Sequence, residues 1–460
     1  MKNAVRIPIE KVPSAVLAVL DGLTASGFAA HLVGGCVRDL LRGETPSDFD
    51  VTTNAEPQKI KEVFSGFRTV DTGIRHGTVT VLPDGFPVEV TTWRQDGAYT
   101  DGRHPDAVRF VASLEEDLAR RDFTVNAMAA DRYGNVTDPF GGMKDLETKT
   151  LRCVGDPERR FREDALRILR AVRFSSTLGF TVEDTTKKAA FALAGRLRLV
   201  SAERIAAELS RLLCGSNAEE TLRSFLPVLG VPVPELLPMA GFDQKNRHHI
   251  YDVYEHTVRV VGGVPPKLSV RLAALFHDAG KPAVFTQDET GEGHFYGHAQ
   301  KSEEIADAVL HRLHFDHDTA RRVTTLIRRH DVVPEVSERA VSRLLGKLGE
   351  ELFFDLLDLR RADNEAQSEE YRERGAECRE LARIARELLA RGACFSLADL
   401  AIDGSDLLAA GCSQGKTVGR VLHALLSAVT DGTLPNDREA LLGAALEWKK
   451  RKTPDAEIYD

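Results

Sequence analysis

The segment from Leu32 to Thr53, LVGGCVRDLLRGETPSDFDVTT, constrains the chain more than any other part of the sequence. Two adjacent glycines precede a short apolar helix pattern, and a polar turn then leads into the alternating run SDFDV. Because side chains alternate across a strand, Asp48 and Asp50 are predicted on one face, and Phe49 between them points into the core. The sequence therefore predicts a strand that presents two carboxylates side by side.

Two neighbouring carboxylates repel each other unless a cation lies between them, and a hard divalent ion such as Mg2+ takes oxygen ligands. We therefore expect Asp48 and Asp50 to bind Mg2+ as catalytic residues. Gly34 and Gly35 can bring backbone N–H groups to a helix start, where a phosphate is favoured. Either half alone is more often a plain Gly-Gly turn or a solvated Asp-x-Asp edge, but the two together suggest nucleotidyl transfer.

This order of features resembles the signature of the DNA polymerase β superfamily of nucleotidyltransferases, in the form found in tRNA nucleotidyltransferases and bacterial poly(A) polymerases. The resemblance implies an N-terminal head domain with a mixed sheet and helices. It also assigns Arg38 to the triphosphate of an incoming nucleotide. Further family motifs should then follow in a fixed order along the chain.

Length and composition are those of a protein with several ordinary globular domains. The chain has 460 residues, 42% hydrophobic and 28% charged, so about three domains are expected. A net charge of −9 argues against a generally basic nucleic-acid-binding protein, and any RNA contact must be local.

The six cysteines are scattered without Cys-x-x-Cys pairs, which favours reduced thiols in the cytoplasm. No stretch is long enough to span a membrane, and Val12–Leu20 is predicted to form an amphipathic helix rather than a signal peptide.

Two alternating segments, Thr78–Leu82 and Pro87–Trp93, flank Pro83-Asp84-Gly85 and predict a hairpin. Glu89 lies between two valines and so faces away from the apolar side. A solvent-facing residue and a third catalytic carboxylate both fit this pattern. Because the related fold takes a third carboxylate from a neighbouring strand, the resemblance favours a metal or base role for Glu89, in which it would help to take the proton from an attacking hydroxyl.

The polar segment Arg94–Pro105, RQDGAYTDGRHP, is predicted to be a mobile loop. It is similar to the flexible loop that helps this family switch from adding C to adding A. The next segment, Leu118–Ala127, closely matches the family motif RRDFTxNA. The segment Asp138–Gly142, DPFGG, then reads as the turn that closes the head.

Within this motif, Arg121 can reach a triphosphate, and Asp122 can accept a hydrogen bond from a ribose 2′-OH. Asn126 is a further nucleotide-binding candidate of the same motif. Taken alone, Arg-Arg-Asp is usually a surface ion pair, so these roles depend on the resemblance.

From Leu151 onward the pattern is helical, and Phe161–Phe174, FREDALRILRAVRF, is predicted as one amphipathic helix. Steps of 100° per residue place five apolar residues on one arc: Ala165, Leu166, Ile168, Leu169 and Val172. Charged residues occupy the opposite face, with the last of them at its border: Glu163, Asp164, Arg167, Arg170 and Arg173. A core-packed helix with a solvated charged face accounts for most patterns of this kind.

The same run resembles the family's EDxxR motif, in which an Asp and an Arg hydrogen-bond to the Watson–Crick edge of the incoming base. The resemblance assigns these roles to Asp164 and Arg167, with Arg170 and Arg173 as further nucleotide-binding candidates. A carboxylate accepts from the exocyclic amino group that C and A share, and a guanidinium donates to a ring nitrogen or carbonyl. The protein can then select C and A without a nucleic-acid template.

A further helix is predicted over Val200–Leu213, VSAERIAAELSRLL, with Ser201 as its N-cap. Three charged residues share one side: Arg204, Glu208 and Arg211. In the family, this neck helix supports the base-selecting helix and faces the tRNA. A proline-rich linker follows from Pro232 to Pro238.

A second group of chemically active residues begins at His249. The segment LAALFHDAGKP places His277 and Asp278 at the end of an apolar helix, with His256 before it and Asp363 after it. This arrangement resembles the HD phosphohydrolase superfamily, which makes these four residues (His256, His277, Asp278 and Asp363) the candidate metal ligands. Imidazole and carboxylate together suit a transition metal better than Mg2+, and a metal-bound water would attack a phosphate ester.

His298 and His330 are candidates for binding a second ion or the substrate phosphate. Ala299 stands where many relatives carry an acidic residue, so a fully active two-metal site is less expected. The remainder, Cys394–Trp448, resembles the C-terminal domain of HD-containing relatives. There, Ser413–Gly419 can hold an RNA phosphate, although a plain glycine-rich turn fits equally well.

The motifs together imply an α+β chain with four parts. These are a polymerase-β-like head with a mixed sheet (1–150), an all-α neck for base selection and RNA binding (151–240), an HD domain (241–370) and a C-terminal helical tail that contacts tRNA (371–460). The expected function is template-independent addition of C and A from CTP and ATP to the tRNA 3′ end, with Mg2+ as cofactor.

Three alternatives remain open. The chain could be a poly(A) polymerase, an A-adding tRNA nucleotidyltransferase, or an HD phosphohydrolase with a degenerate N-terminal half. The presence of both aspartates and of the Asp164/Arg167 pair argues against the last of these. Neither a membrane nor DNA is expected as a partner.

Overall fold

The computed structural model describes residues 5–96, 108–111, 113–246, 249–332, 334–369, 375–412 and 415–451. The chain divides into two compact units, residues 1–237 and 238–460. None of the helices in the described ranges is both long enough and apolar enough to cross a membrane.

The first unit contains most of the strands. They are β1 (Ala30–Val33), β2 (Asp50–Thr53), β3 (Arg68–Gly73), β4 (Thr78–Leu82), β5 (Val88–Thr92), β6 (Arg94–Asp96), β7 (Val108–Phe110), β8 (Ala129–Ala130), β9 (Val136–Thr137), β10 (Thr150–Leu151) and β11 (Thr181–Val182). Seven of them form one sheet in the order β3-β4-β5-β2-β1-β8-β9. In this sheet β2 and β5 run parallel, and the other neighbours are antiparallel. The predicted mixed sheet is therefore confirmed.

The helices of the first unit are α1 (Ser14–Ala25), α2 (Gly35–Leu41), α3 (Pro57–Val63), α4 (Leu114–Ala119), α5 (Gly142–Glu147), α6 (Pro157–Glu163), α7 (Leu166–Leu178), α8 (Asp184–Leu193), α9 (Ala202–Leu213) and α10 (Ala218–Leu229). The short parallel pair β10–β11 interrupts the region that was predicted to be wholly helical after Leu151.

The core of the head lies between the sheet and its helices. Val16, Val19, Leu20 and Leu23 of α1 are fully buried, at the i, i+3, i+4, i+7 spacing of an amphipathic helix. They belong to the same apolar cluster as the inward residues of the central strands. The predicted hairpin is also confirmed, because β4 and β5 pair antiparallel around a turn in which Asp84 and Gly85 have positive φ.

Two further sequence predictions need correction in this unit. The strand over Ser47–Val51 begins later than predicted, so that Asp50 is its first residue and Asp48 precedes it. The single helix over Phe161–Phe174 is two helices, α6 and α7, because Asp164 adopts an extended conformation with φ −134° and ψ 110°. Its Oδ1 accepts the backbone N–H of Leu166 at 3.0 Å, and an aspartate that caps a new helix in this way ends the preceding one.

The five predicted apolar residues of the α6–α7 segment are all buried, as expected. Ser201 occupies the predicted N-cap position of α9, although its hydroxyl makes no capping hydrogen bond. The predicted closing turn is confirmed: Gly141 has a φ of 76°, and Asp138 accepts the backbone N–H groups of Gly142 and Met143 at 2.7 and 2.9 Å. Most of the predicted switching loop, residues 97–107, lies outside the described residues, and its stem is the β6–β7 pair.

The second unit is almost entirely helical. Its elements are α11 (Val253–Gly263), α12 (Leu268–Phe276), α13 (Lys281–Val284), β12 (Thr286–Gln287), β13 (Gly293–His294), α14 (His298–Arg312), α15 (His317–Arg329), α16 (Glu338–Leu348), α17 (Glu350–Glu365), α18 (Gly375–Ala390), α19 (Gly404–Ala409), α20 (Lys416–Thr430) and α21 (Arg438–Arg451). Eight of the nine residues of α12 are buried, all but Leu268, so this helix forms the centre of the unit.

The C-terminal helices form a small core of their own around Leu400, Ile402 and Leu407. Asp403 caps α19 reciprocally with Asp406 in a capping box. The predicted helical tail is therefore present. In the predicted phosphate-binding turn Ser413–Gly419, residues 413–414 lie outside the described residues, and the rest enters α20.

Candidate active site

Three acidic residues of the head come to one edge of the sheet because of its strand order. Asp50, the first residue of β2, lies opposite Val33, the last residue of β1. On its other side, Asp50 is the parallel partner of Glu89 in β5. Asp48 precedes β2 by two residues and, like Glu89, is exposed. The register therefore brings the three predicted carboxylates to the same end of β2.

Asp50 carries the largest electrostatic perturbation in this group. Burial raises the pKa of its carboxyl group to about 6, Arg121 opposes the rise, and the charges of Asp48 and Glu89 add to it. A bound cation would stabilise a partly buried carboxylate that lies beside two others. Carboxylate oxygens suit a hard divalent ion, so the donor set fits the predicted Mg2+ site.

Gly34 lets the backbone pass closely over this edge. Its φ of 84° lies in the left-handed region that favours glycine. A Cβ atom at this position would lie 3.2 Å from Nη1 of Arg121 and 3.8 Å from Oδ2 of Asp50. Gly35 is the first residue of α2. The glycine pair therefore keeps open the space between the acidic edge and Arg121, where a phosphate was predicted.

A buried carboxylate that the sequence analysis did not identify holds the RRDF segment. Asp117 on α4 is fully buried and accepts hydrogen bonds from Nη2 of Arg120 at 2.6 Å and from the hydroxyl of Thr52 at 3.2 Å. Nη2 of Arg121 lies 3.6 Å from Oδ2 of Asp117. Burial disfavours the Asp117 anion, but Arg120 and Arg121 outweigh burial and lower its pKa. The spacing of four residues between Asp117 and Arg121 was the available sequence signal.

A chain of hydrogen bonds links the glycine motif to the predicted base-reading helix. Nη1 of Arg38 donates to Oδ1 of Asn126 at 2.7 Å, and Nδ2 of Asn126 donates to Oδ1 of Asp122 at 3.2 Å. Nε of Arg170 donates to Oδ2 of Asp122 at 2.8 Å. Burial opposes ionisation of Asp122, but Arg170 and Arg167 prevail and lower its pKa to about 2. Asp122 is therefore an anion that joins predicted nucleotide-binding residues, and its contact with a ribose stays a prediction.

Asp164 and Arg167, predicted to read the base, are held by protein partners on both sides of the α6–α7 break. Oδ2 of Asp164 accepts from Nη2 of Arg204 on α9 at 3.0 Å. Arg167 donates to Oε2 of Glu163 at 2.7 Å and to the backbone carbonyl of Arg120 at 3.0 Å. The side chains of Asp164 and Arg167 are only 16% and 11% exposed, so they do not form the solvated face of a simple amphipathic helix.

Arg173 is directed toward the neck helix. Its Nε donates to Oε2 of Glu208 on α9 at 2.7 Å, and both side chains are buried. Together with the Arg204–Asp164 bond, this contact shows α9 supporting α7, whereas Arg211 is exposed. The structure therefore places Arg173 in the packing between α7 and α9, and leaves Arg170 beside Asp122.

The second unit contains a separate cluster of imidazole and carboxylate groups. Nε2 of His256 on α11 lies 3.0 Å from Oδ1 of Asp363 on α17 and 3.3 Å from Nε2 of His277. Nε2 of His277 lies 3.2 Å from Oδ2 of Asp278. Within the described ranges, three potential ligand atoms lie within 4.8 Å of one another only in this cluster, in the sets His256/His277/Asp363 and His277/Asp278/His330. The fold thus brings together all four predicted HD ligands.

The backbone determines which imidazole nitrogen faces the cluster. In His277, His298 and His330, Nδ1 lies 2.7–3.0 Å from the carbonyl oxygen three residues earlier. A ring that donates from Nδ1 keeps a free lone pair on Nε2, the state that a metal ligand needs. The donor set therefore fits a transition metal, as predicted.

A cavity of about 370 Å3 adjoins this cluster and is lined by His298 and His330, whose Nε2 atoms lie 3.3 Å apart. Nζ of Lys281 lies 2.7 Å from Oδ2 of Asp278 at the cavity wall. The space and the cationic group suit a phosphate. Ala299 is buried, and the reduced second metal site expected from this alanine stays a prediction.

Three family profiles match the chain. The "Poly A polymerase head domain" matches residues 30–152, the "Probable RNA and SrmB- binding site of polymerase A" matches residues 179–225, and "tRNA nucleotidyltransferase domain 2 putative" matches residues 294–445. The first of these covers the acidic edge, the glycine pair and the RRDF segment.

Curated relatives and a solved structure agree with these matches. A CCA-adding enzyme of Lactobacillus helveticus is 46% identical over 233 residues, which are 50% of this chain and 58% of that protein. A CCA-adding enzyme of Leuconostoc mesenteroides is 50% identical over 204 residues, 44% of this chain and 50% of that protein. The chain therefore spans about half the length of the curated relatives it matches. The crystal structure of the Bacillus stearothermophilus CCA-adding enzyme in complex with CTP matches with a TM-score of 0.69 and 30% identity, over 95% of this chain and 98% of that one. Because this similarity extends over nearly the whole of both chains, the chain belongs to the CCA-adding enzyme family.

Proposed function

We propose that this chain adds C and A, from CTP and ATP, to the 3′ end of tRNA without a nucleic-acid template. The observation that carries the proposal is the position of Arg167. Its guanidinium is hydrogen-bonded to the backbone of Arg120, the residue next to Arg121, so the base-reading pair adjoins the predicted triphosphate-binding residue. The solved relative from Bacillus stearothermophilus, described with CTP, supports this assignment.

In this proposal, the acidic edge of the sheet performs the transfer. The tRNA 3′-oxygen forms a bond to the α-phosphorus, and the bond to pyrophosphate breaks. Asp48 and Asp50 hold Mg2+, and Glu89 helps to take the proton from the 3′-OH. When bound, the ions supply the positive charge that stabilises the α-phosphate and the leaving group. Arg38 and Arg121 hold the triphosphate through charge-assisted hydrogen bonds.

Base selection follows from the fixed orientation of the Asp164 and Arg167 side chains, which are held by hydrogen bonds to other residues of the protein. The Asp164 carboxylate, oriented by Arg204, accepts from the amino group that C and A share. Arg167, oriented by Glu163, donates to a ring nitrogen or carbonyl. U and G present donors and acceptors the other way round at these positions, so they leave polar groups of the protein unpaired.

The remaining parts of the chain are assigned to RNA binding and to a second activity. We keep the predicted division into a head at 1–150, a neck at 151–240, an HD domain at 241–370 and a tail at 371–460 as part of the proposal. The exposed side of α9 and the C-terminal helices then contact the tRNA.

The primary experiment offers purified protein tRNA that ends before CCA, after C and after CC, with each NTP in turn, and sequences the products. Addition of two C residues and one A, in that order, supports the proposal. Unlimited addition of A would identify a poly(A) polymerase instead. Addition of A only to tRNA that ends in CC would identify an A-adding enzyme.

Arg167→Ala tests the selection mechanism. Loss of a base-edge contact typically costs about 1–3 kcal/mol, or roughly 5- to 150-fold in selectivity. We expect kcat/KM for CTP and ATP to fall and their advantage over UTP and GTP to narrow, whereas Arg121→Ala should slow all four nucleotides about equally. Arg162→Ala, which removes an exposed arginine of α6 paired with Glu158, is the matched control and should change neither quantity. Unchanged discrimination in Arg167→Ala would contradict the proposal.

The histidine cluster favours a second function, a metal-dependent phosphohydrolase. His256, His277, Asp278 and Asp363 hold the ion, and Lys281 and the His298/His330 pair face the cavity in which a phosphate ester would lie. The test loads the protein with Mn2+, Co2+ or Ni2+ and follows hydrolysis of a nitrophenyl phosphate monoester and diester. No hydrolysis with any of these ions would contradict this second function.

A further inference from the structure

Phe174 lies in the C-terminal half of α7 and is almost completely buried, with 4% of its surface exposed. Three guanidinium groups surround its ring. The Cζ atom of Arg173 lies 3.6 Å from the ring centroid, that of Arg38 lies 5.3 Å away and that of Arg170 lies 5.5 Å away. Phe123 meets the same ring edge-on, at a centroid distance of 5.7 Å.

These neighbours come from separate parts of the chain. Arg38 follows the glycine pair on α2, Phe123 belongs to the RRDF segment, and Arg170 precedes Phe174 by one helical turn. Phe174 is thus in contact with the three segments to which the nucleotide site is assigned.

The ring of Phe174 can stabilise this group of three guanidiniums by attracting them. Three guanidiniums repel one another. Among the described residues, their carboxylate partners are Asp39 for Arg38, Asp122 for Arg170 and Glu208 for Arg173, and Arg38 also donates to Asn126. The face of an aromatic ring carries partial negative charge and attracts cations within about 6 Å of its centroid. A phenylalanine can supply this attraction without adding another ion or leaving a polar group unpaired.

We propose that Phe174 is a positioning residue that holds Arg38 and Arg170 in the orientation in which they receive the nucleotide. It touches no substrate itself and acts through the arginines. This inference rests on the proposed function, because that function assigns Arg38 to the triphosphate and Arg170 to the nucleotide site.

Removal of the ring should weaken nucleotide binding more than any other property of the site. In Phe174→Leu the buried apolar volume is largely kept, but the guanidiniums gain rotational freedom that a bound nucleotide must remove again. Cation–π contacts change equilibria by roughly 2- to 30-fold each. We therefore expect the Kd for CTP and for ATP to rise about tenfold, with the KM for tRNA unchanged.

The chain offers a matched control in Phe64, a residue of the same unit that is 3% exposed and whose ring contacts that of Phe67. Phe64→Leu should cost similar stability and leave the affinity for nucleotides unchanged. Phe174→Tyr retains the ring and should restore near-normal binding, whereas Phe174→Met should behave like Phe174→Leu.

The experiment measures Kd for CTP and ATP by equilibrium dialysis with Mg2+, together with the urea midpoint, kcat and the KM for tRNA, for the whole chain and each variant. A rise in Kd confined to Phe174→Leu and Phe174→Met confirms the inference. Equal Kd values in the Phe174 and Phe64 variants, or loss of the fold in both Phe174→Leu and Phe174→Met, would show that the ring only fills the core. Because Kd is measured without transfer, a wild-type protein that adds neither C nor A would refute the proposed function and still leave the binding comparison decisive for Phe174.

Discussion

Replacement of Asp50 by asparagine should stabilise the metal-free protein, although it removes a predicted metal ligand. The Asp50 carboxyl is partly buried, and it lies near enough to Asp48 and Glu89 for their charges to raise its pKa further. The folded state therefore disfavours the ionised form. Asparagine has almost the same shape and no charge, so Asp50→Asn removes the buried charge and leaves the packing in place.

The pKa shift sets the magnitude of this effect. The pKa of Asp50 rises from 3.8 to about 6, and each unit corresponds to about 1.4 kcal/mol, so ionisation in the folded state costs about 3 kcal/mol. Because the folded-state pKa lies above the unfolded-state value, the folded protein binds more protons between about pH 4 and pH 6. Its free energy of unfolding therefore falls as the pH rises through this window. Above this window, ionised Asp50 lowers the free energy of unfolding of the wild type by the full amount. The variant has no charge at this position and is not affected.

The assay is urea unfolding in EDTA at about pH 7.5 and about pH 4.5. At the higher pH, Asp50→Asn should be more stable than the wild type by up to about 3 kcal/mol, which corresponds to roughly 6–12 °C in Tm for a unit of this size. At the lower pH, the difference should shrink to about 1 kcal/mol, because Asp50 is then protonated in the folded state but still mostly ionised in the unfolded state. Asp21→Asn, which removes an exposed carboxylate paired with Arg132, is the control and should change stability by less than about 0.5 kcal/mol.

Added Mg2+ provides a second comparison. It should stabilise the wild type by binding the folded state and have little effect on Asp50→Asn, which should also lose nucleotide addition. A variant that is less stable than the wild type at about pH 7.5 without metal would refute this reasoning. So would a stability difference that is the same at both pH values.

Two further changes probe the packing of the head and the independence of the second site. Gly142→Ala should destabilise the first unit by about 2 kcal/mol or more in urea unfolding, because its Cβ would lie 2.2 Å from the carbonyl oxygen of Thr124. Gly195→Ala is the control and should not change stability, because the space at its Cβ position is open. Equal effects of the two changes would contradict the close contact. His277→Ala should abolish binding of a transition metal and any phosphatase activity while leaving nucleotide addition unchanged. His311→Ala, at an exposed histidine of the same unit, is its control. Loss of both activities in a folded His277 variant would argue against two separate sites.

Local pattern was sufficient to predict several elements of the first unit. The hairpin that carries Glu89 and the apolar arc of α7 were predicted correctly, because periods of two and 3.6 residues are properties of the backbone alone. The strand around Asp50 was also predicted, but from Ser47 rather than from Asp50. The motifs also located the residues of both candidate sites along the chain. Their distances from one another could not be predicted in the same way.

The α6–α7 break illustrates a limit of such patterns. The run Phe161–Phe174 has an unbroken helical period, yet Asp164 leaves the helix and caps the next one. Whether an aspartate continues a helix or caps a new one depends on the partners available to its carboxylate. Here Arg204 is one of those partners, and it comes from a helix forty residues further along the chain.

The sequence by itself determined the types of chemistry this chain can perform: a carboxylate pair behind a glycine turn, an Asp/Arg pair suited to a base edge, and histidines with aspartates suited to a metal. Only the tertiary structure decided which of these groups meet. The parallel pairing of β2 with β5 placed Glu89 beside Asp50, burial raised the pKa of Asp50, and the fold of the head enclosed Asp117 beneath Arg121. The physical reason is that pairing register, desolvation and charge–charge distance depend on contacts between residues remote in sequence, which no local pattern encodes.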